Sequence, residues 1–475
     1  MHQSDEQDEA IRLLTMECDF IAVNSIAGSG KSTLAKEMAK AIGGNILYTS
    51  FMKSAINDAE KKFPSNVKCK TTHSICYRDI VPLGAGMAGI KYGPRKVGWF
   101  GYRDISEKIK YDDKLTVIDL MEKFFTSGSI TMKSYFESHC GDPLLRSIAT
   151  TYVQKMVNKE IPVTHGFYMK YYHILLARGV LTTPSYDLAI LDELQDSSAV
   201  ALEIFKLTNA KKKLVVGDPF QSCMAFANSV NGFDYLEELG VETKLSITYR
   251  VEESIAKKIE LFGKKHLDRN FKFTGLPIED KTVDTQVYIA RTNGSLIAKM
   301  IQLNQSHTPY NSARKIKDMF SLILTLLSMK PGCTKPVGEH SFLYFDMLDY
   351  NRKTVEFRKA RSFISYIMSK HNKDKAIKTA CKTIVKYGGK LIWETYNYAL
   401  LHETAKITHG ITLATPHSSK GGTWDEAILD EDMYPEFLRE DDMTDEDKQQ
   451  ELNLLYIAAT RCRVKLTGAN YLTEV

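Results

Sequence analysis

The chain has 475 residues, too many for one simple core, so a two-lobed or multi-domain protein is expected. With 43% hydrophobic and 25% charged residues it has the composition of an ordinary globular protein, and no run of about 20 apolar residues could span a bilayer. A net charge of +5 permits a nucleic-acid partner without demanding one.

The first residues, MHQSDEQDEAIRLL, are acidic and amphipathic rather than basic then apolar, so they do not read as a secretory signal. Eight scattered cysteines with no CxxC pair suit a reducing interior. A soluble protein of the cytoplasm or nucleoid, or of a host cytoplasm if phage-encoded, with no membrane partner, is the expectation. Residues 20–24 (FIAVN) form an apolar run of strand type, SIAGSGKS follows, and from Thr33 to Ile42 apolar residues recur at helical spacing. Strand, glycine-rich turn and helix are the context of a phosphate-binding loop. Gly28 and Gly30, with Ser29 between them, let backbone N–H groups converge on a polyphosphate at a helix N-terminus. Lys31 would reach the β and γ phosphates, and the Ser32 hydroxyl would hold Mg²⁺. Ser25 stands where the usual pattern has its first glycine. Cys69 and His73 lie four apart, but no second ligand pair follows them, which argues against a zinc site.

In YDLAILDELQDSS (186–198), Leu188, Ile190 and Leu191 run into Asp192 and Glu193, with Gln195 and Asp196 beyond. A carboxylate ending a buried strand beside a phosphate loop suits the second Mg²⁺ contact, which assigns Asp192. Glu193 is placed to orient and deprotonate the attacking water. A helix N-cap accounts for Asp196 but not for all four polar groups.

DELQD resembles the DExQD form of the Walker B motif in superfamily 1 helicases of the UvrD/Rep/PcrA group, and further segments are similar to that group in the same order. Gln7 resembles the glutamine that reads the adenine edge. Residues 47–78 (LYTSFMKSAINDAEKKFPSNVKCKTTHSICYR) resemble motifs Ia and Ib, with particular likeness to the F-box DNA helicases. GDPFQS (217–222) is like motif III, with Gln221 as γ-phosphate sensor. ITYR (247–250) is like motif IV, in which Tyr249 would stack on adenine and Arg250 would touch the γ-phosphate. ARTN (290–293) and KIKD (315–318) look like second-lobe markers. ATPHSSKGGTWD (414–425) is similar to motif V, and LLYIAATRCR (454–463) to motif VI, with Arg461 as the second arginine at the γ-phosphate.

The resemblance implies an α/β fold of two RecA-like parallel-sheet P-loop NTPase domains, each with an inserted subdomain. Motif positions divide the chain into a first RecA-like domain (1–82 and 183–238) with an insertion at 83–182, and a second (239–329 and 406–475) with an insertion at 330–405. No F-box is expected before the phosphate loop. The glycine- and aromatic-rich stretch 84–104 is either a DNA-facing loop or a plain surface loop. The run Lys353, Lys359, Lys370, Lys373, Lys375, Lys378, Lys382 and Lys386 is either a duplex contact or a solvated face. The acidic stretch 430–451 reads as a solvated connection before the motif VI helix.

The same resemblance implies ATP and Mg²⁺ as ligands, with Gln7, Gly28, Ser29, Gly30, Lys31, Ser32, Thr33, Tyr249, Arg250 and Arg461 at the nucleotide. Single-stranded DNA, held by stacking and backbone contacts, would meet Phe51, Thr72, His73, Phe226, His417 and Trp424. Departures fall in motif III, where Met224 and Ala227 replace a Tyr and an Arg, and in motif V, where Thr423 replaces a Glu. Thr33 stands where bacterial relatives carry a base-packing arginine. None removes a catalytic group. The expected function is an ATP-dependent single-stranded DNA translocase and DNA helicase, 3′ to 5′ by analogy, acting in replication, repair or recombination at single-strand/duplex junctions. Alternatives are a translocase that strips recombinase or single-strand-binding proteins, and a nucleotide-gated DNA-binding switch that does not turn ATP over.

Overall fold

A computed structural model describes residues 4–85, 111–158, 160–161, 163–223, 230–236, 240–329, 340, 342–372, 374–403, 410–434, 443–469 and 472. Residues 86–104, Met224, Phe226, Ala227, residues 330–339, Lys373 and residues 435–442 lie outside this set. The chain forms two compact units, 1–247 and 248–475.

In the first unit, strands β1 (Phe20–Ser25), β2 (Ile46–Ser50), β3 (Val67–Thr71), β4 (Tyr186–Asp192), β5 (Ala210–Gly217) and β6 (Val241–Leu245) form one sheet in the order β3-β2-β4-β5-β1-β6. Every pairing is parallel. Parallel sheets are covered on both faces, and that is why β2 and β4 read as nearly unbroken apolar runs. Leu188 and Ile190 join Ile21, Val23, Leu34 and Met38 on one face, while Ala189 and Leu191 meet Leu202, Phe205 and Val215 on the other. Between β3 and β4 run the helices Tyr111–Thr126, Met132–His139, Pro143–Asn158 and His165–Ala177. Their core of Phe124, Phe125, Phe136, Tyr152 and Phe167 reaches the sheet domain through Val200 and Ile204.

Strand order positions the site. β5 lies between β1 and β4, so whatever leaves its C-terminal end sits between the phosphate loop and Asp192. Gly217 closes β5 where space runs out: a Cβ there would lie 2.6 Å from Gln195 Oε1 and 2.9 Å from Leu194 Cβ. Gly217→Ala is therefore expected to destabilise the chain by about 1–3 kcal/mol, read as a lowered urea midpoint.

In the second unit, β9 (Gln286–Ile289), β10 (Tyr310–Ser312), β11 (Ile411–Ala414), β12 (Trp424–Leu429) and β13 (Cys462–Thr467) form a second parallel sheet, ordered β10-β11-β9-β12-β13. β7 (Ile247–Glu252) pairs with β8 (Thr274–Leu276). Leu296, Met300, Phe320, Ile323, Ile377 and Ile384 build the main core of this unit. Both units are α/β with parallel sheets, the architecture expected of RecA-like domains.

Candidate functional site: a phosphate loop and a strand-end carboxylate pair

The loop after β1 turns through two left-handed glycines, Gly28 (φ 76°) and Gly30 (φ 84°), a backbone region costly for other L-residues. Gly30 caps the helix Lys31–Ile42. That helix starts two residues before the apolar periodicity does. Lys31 is half-buried, and Ser32 and Thr33 are exposed, so its first turn has no apolar signal. Ser29 is buried, with a hydroxyl that has no hydrogen-bond partner in the protein, as a group reserved for a ligand would be. Ser25, at the missing first glycine, donates to the Gly217 carbonyl at 2.8 Å and ties the start of the loop to the end of β5.

Gln7 sits in the first turn of the helix Asp5–Arg12 and completes a capping box with Ser4. Its Nε2 donates to the Ser29 carbonyl at 3.1 Å, and its Oε1 accepts from the Ser4 N–H at 3.3 Å. The amide thus braces the phosphate loop, a contact that the motif comparison does not anticipate. Glu6, its neighbour, accepts from the Ser246 N–H at 2.8 Å and from the Ser246 hydroxyl.

At the end of β4, Asp192 is buried. It accepts the Glu193 N–H on Oδ1 at 2.9 Å and the Tyr48 hydroxyl on Oδ2. Burial, then the charge of Glu193, pushes its carboxyl above the usual range; the Tyr48 hydrogen bond and Lys31 oppose the shift. Glu193 has φ 60°, a left-handed conformation rare for a side-chain-bearing residue and worth about 1–3 kcal/mol of strain. Its Oε2 accepts from Gln195 Nε2 at 2.5 Å, and Gln195 Oε1 accepts the Asp218 N–H at 3.0 Å. Asp218 Oδ2 in turn accepts from Gln221 Nε2 at 2.6 Å. Glu193, Gln195, Asp218 and Gln221 therefore form one connected hydrogen-bonded chain. Asp196 lies inside the short 3-10 turn Leu194–Asp196, and the next helix is N-capped by Ser198.

No group of three or more His, Cys, Asp or Glu side chains among the described residues could hold a metal alone. One buried carboxylate, Asp192, at the end of β4, and one hydroxyl, Ser32, in the first turn of the helix after the loop, are the kind of sparse oxygen donors that suit Mg²⁺, an ion that takes its remaining ligands from phosphate oxygens and water.

Phe51, Thr72 and His73 follow β2 and β3 on the same sheet. Phe51 is exposed, Thr72 is buried, and the half-buried His73 ring lies 6.2 Å from Phe51. Sequence reasoning missed their neighbours. His73 Nδ1 and His165 Nδ1 lie 3.1 and 2.7 Å from the Tyr168 hydroxyl, and exposed Tyr77 stands edge-on to Tyr168 at 5.8 Å. Tyr77 was within reach, one helical turn beyond His73; Tyr168 and His165 come from a helix that carries no motif.

Burial, then the charge of nearby His165, lowers the His73 pKa from 6.5 to about 4, and burial, then Lys170, lowers that of His173 likewise. Both stay neutral in the folded chain until the pH nears about 4, whereas the unfolded chain takes up protons below 6.5. Their stabilising contribution is thus complete above pH 6.5 and is lost as pH falls towards 4. Urea midpoints at pH 7.5 and pH 5 should show this loss, and His173→Leu should reduce it.

In the second unit, Tyr249 and Arg250 are half-buried on β7. Arg250 Nη1 donates to the Thr460 carbonyl at 3.3 Å, and Arg461 Nη2 to the Thr460 hydroxyl at 3.0 Å, so the two arginines gather around one residue. Arg461 is 1% exposed, its Nε donating to the Ile457 carbonyl at 2.8 Å. His417 lies in the short helix Pro416–Ser419, and half-buried Trp424 opens β12 with its ring over Gly422, where a Cβ would come within 2.2 Å of it. Thr423 is exposed.

No protein-family model matches the chain. It is similar to F-box DNA helicase protein 1 of Schizosaccharomyces pombe, 23% identical over 513 aligned residues that take in 96% of this chain and 56% of that protein. It is also similar to F-box DNA helicase 1 of Gallus gallus, 25% identical over 239 residues, 45% of this chain and 23% of that protein. The chain spans about half the length of the first relative and a quarter of the second. The chain is thus related in sequence to F-box DNA helicases, to the Schizosaccharomyces pombe protein over nearly all of its length and to the Gallus gallus protein over less than half of it.

Proposed function

We propose that this chain is an ATP-driven motor on single-stranded DNA and a DNA helicase, moving 3′ to 5′. The observation that carries the reading is the continuous hydrogen-bonded link from Glu193 through the Gln195 side chain and the Asp218 backbone N–H and carboxylate to Gln221, beside a loop built for a polyphosphate. A base joined in this way to a phosphate sensor lets hydrolysis be felt elsewhere in the protein. The relatives' name, DNA helicase, supplies the substrate class.

In this reading the loop N–H groups and Lys31 bind the phosphates, and Gln7 braces the loop. Glu193 accepts the proton of the attacking water, held in place by Gln195. Mg²⁺ at Asp192 and Ser32 would supply positive charge to the β and γ phosphates. Arg250 and Arg461 are assigned to the charge that develops on the transferred phosphoryl group, and Tyr249 to the adenine. Phe51, Thr72, His73, Phe226, His417 and Trp424 are assigned to the DNA strand. The domain limits proposed are those of the motif spacing, with insertions at 83–182 and 330–405.

The test is steady-state ATP hydrolysis without nucleic acid, with single-stranded DNA and with single-stranded RNA, using Lys31→Ala as control. Stimulation by DNA that disappears in the variant is expected; hydrolysis indifferent to either strand would sink the motor reading. Work on a forked duplex, set against removal of recombinase from a coated strand, then separates unwinding from stripping.

A further inference from the structure

Tyr48 lies on β2 opposite Ile190, and period-two alternation puts its side chain on the same face of the sheet as Ile190 and Asp192. Its ring is 2% exposed and packs against Phe63 at 4.8 Å. Its hydroxyl passes over the strand pairing to donate to Asp192 Oδ2. The adjacent Thr49 hydroxyl satisfies itself on a backbone carbonyl, that of Ile190 at 2.8 Å, so a carboxylate is not the only kind of acceptor here. With the Glu193 N–H on Oδ1, each oxygen of Asp192 has one fixed donor. An ionised carboxylate has about four acceptor positions, so about one on each oxygen remains, in the plane of the carboxylate.

We propose that Tyr48 is the positioning residue of the metal site: its hydroxyl holds the Asp192 carboxylate in the orientation in which the free lone pairs meet a divalent cation. This rests on the reading of Asp192 as a Mg²⁺ contact. A hydrogen bond to a ligating carboxylate orients it and sets its basicity, and losing such a partner lowers metal affinity by about 10–100-fold. Phenylalanine preserves the ring against Phe63 and removes only the hydroxyl, so the variant isolates that bond.

The experiment uses the full chain with ADP and Mn²⁺, reading free Mn²⁺ by electron paramagnetic resonance. Tyr48→Phe is expected to raise the Mn²⁺ dissociation constant about tenfold, while ADP affinity in EDTA stays within about twofold. Added to an Asp192→Asn background, it should change Mn²⁺ affinity no further. A hydroxyl that is only structural would move the urea midpoint and leave Mn²⁺ binding at its wild-type strength, which would overturn the inference. Wild-type chain showing no ADP-dependent uptake of Mn²⁺ would overturn the ATP-site reading and this inference with it.

Discussion

Glu193→Gln is expected to lower DNA-stimulated ATP turnover by about 10²–10⁴-fold, the usual contribution of a positioned general base, with nucleotide and single-strand binding within a few-fold of wild type. The substitution suits this geometry. Gln195 Nε2 donates to Glu193 Oε2, and a glutamine can present its amide oxygen to the same donor, so the link to Asp218 and Gln221 survives while the proton acceptor is lost. The left-handed backbone at 193 is equally strained for both residues. Phosphate release with single-stranded DNA, beside binding of a fluorescent ATP analogue, separates the two effects. A variant that hydrolyses ATP like wild type would remove Glu193 from the chemistry. If neither protein hydrolysed ATP, the gated-switch alternative would gain.

Arg461→Ala should be the more damaging change, because the proposed function gives this side chain a second duty beside the one it has in the fold. Charge supplied to a transferring phosphoryl group by an arginine is worth about 10³–10⁵ in rate. Its guanidinium is also buried, with bonds to the Ile457 carbonyl and the Thr460 hydroxyl, so truncation removes buried hydrogen bonds and leaves a void where the side chain stood. A loss of several kcal/mol in stability is expected in addition. Arg461→Lys distinguishes the duties: it retains a charge but not the planar fork. Turnover measured well below the unfolding temperature should still fall by about a hundredfold or more, with a smaller shift of the urea midpoint. Full turnover with lysine would show that residue 461 serves the fold alone.

The local parts of the site were legible in the sequence. The glycine turn of GSGKS and the position of the DE pair at a strand end announce themselves because they follow from neighbours within a few positions and from the strand before them. The links between them were not. Asp218 meets Gln195 only because β5 lies beside β4, and Tyr48 reaches Asp192 only because β2 lies on the other side. Strand order is a tertiary fact that spacing along the chain does not state. The acidic stretch shows a similar limit. The charges of 430–451 suggested a solvated connection, yet Asp432 accepts the Arg291 and Thr292 N–H groups, and Glu451 pairs with both Arg291 and Lys375. The lysine run divides in the same way: Lys370 and Lys375 are tied to Asp346 and Glu451, whereas Lys382 and Lys386 are exposed. Charge counts do not reveal which charges find partners.

The place of β1 in its sheet also governs the order in which the protein can be made. Both neighbours of this strand are late ones: Phe20 pairs with Lys213 in β5, and Ile21 with Val241 in β6. On a ribosome adding ~5–20 residues per second, the strand that carries the phosphate loop waits tens of seconds for either edge to be covered. During that interval FIAVNS is an apolar segment with no sheet to join, the kind of exposure that chaperones shield. A nascent chain halted before β5 would hold every residue of GSGKS and still lack the strand that ties the loop to Asp192, so, if the proposed function holds, competence for ATP should arrive abruptly, late in synthesis.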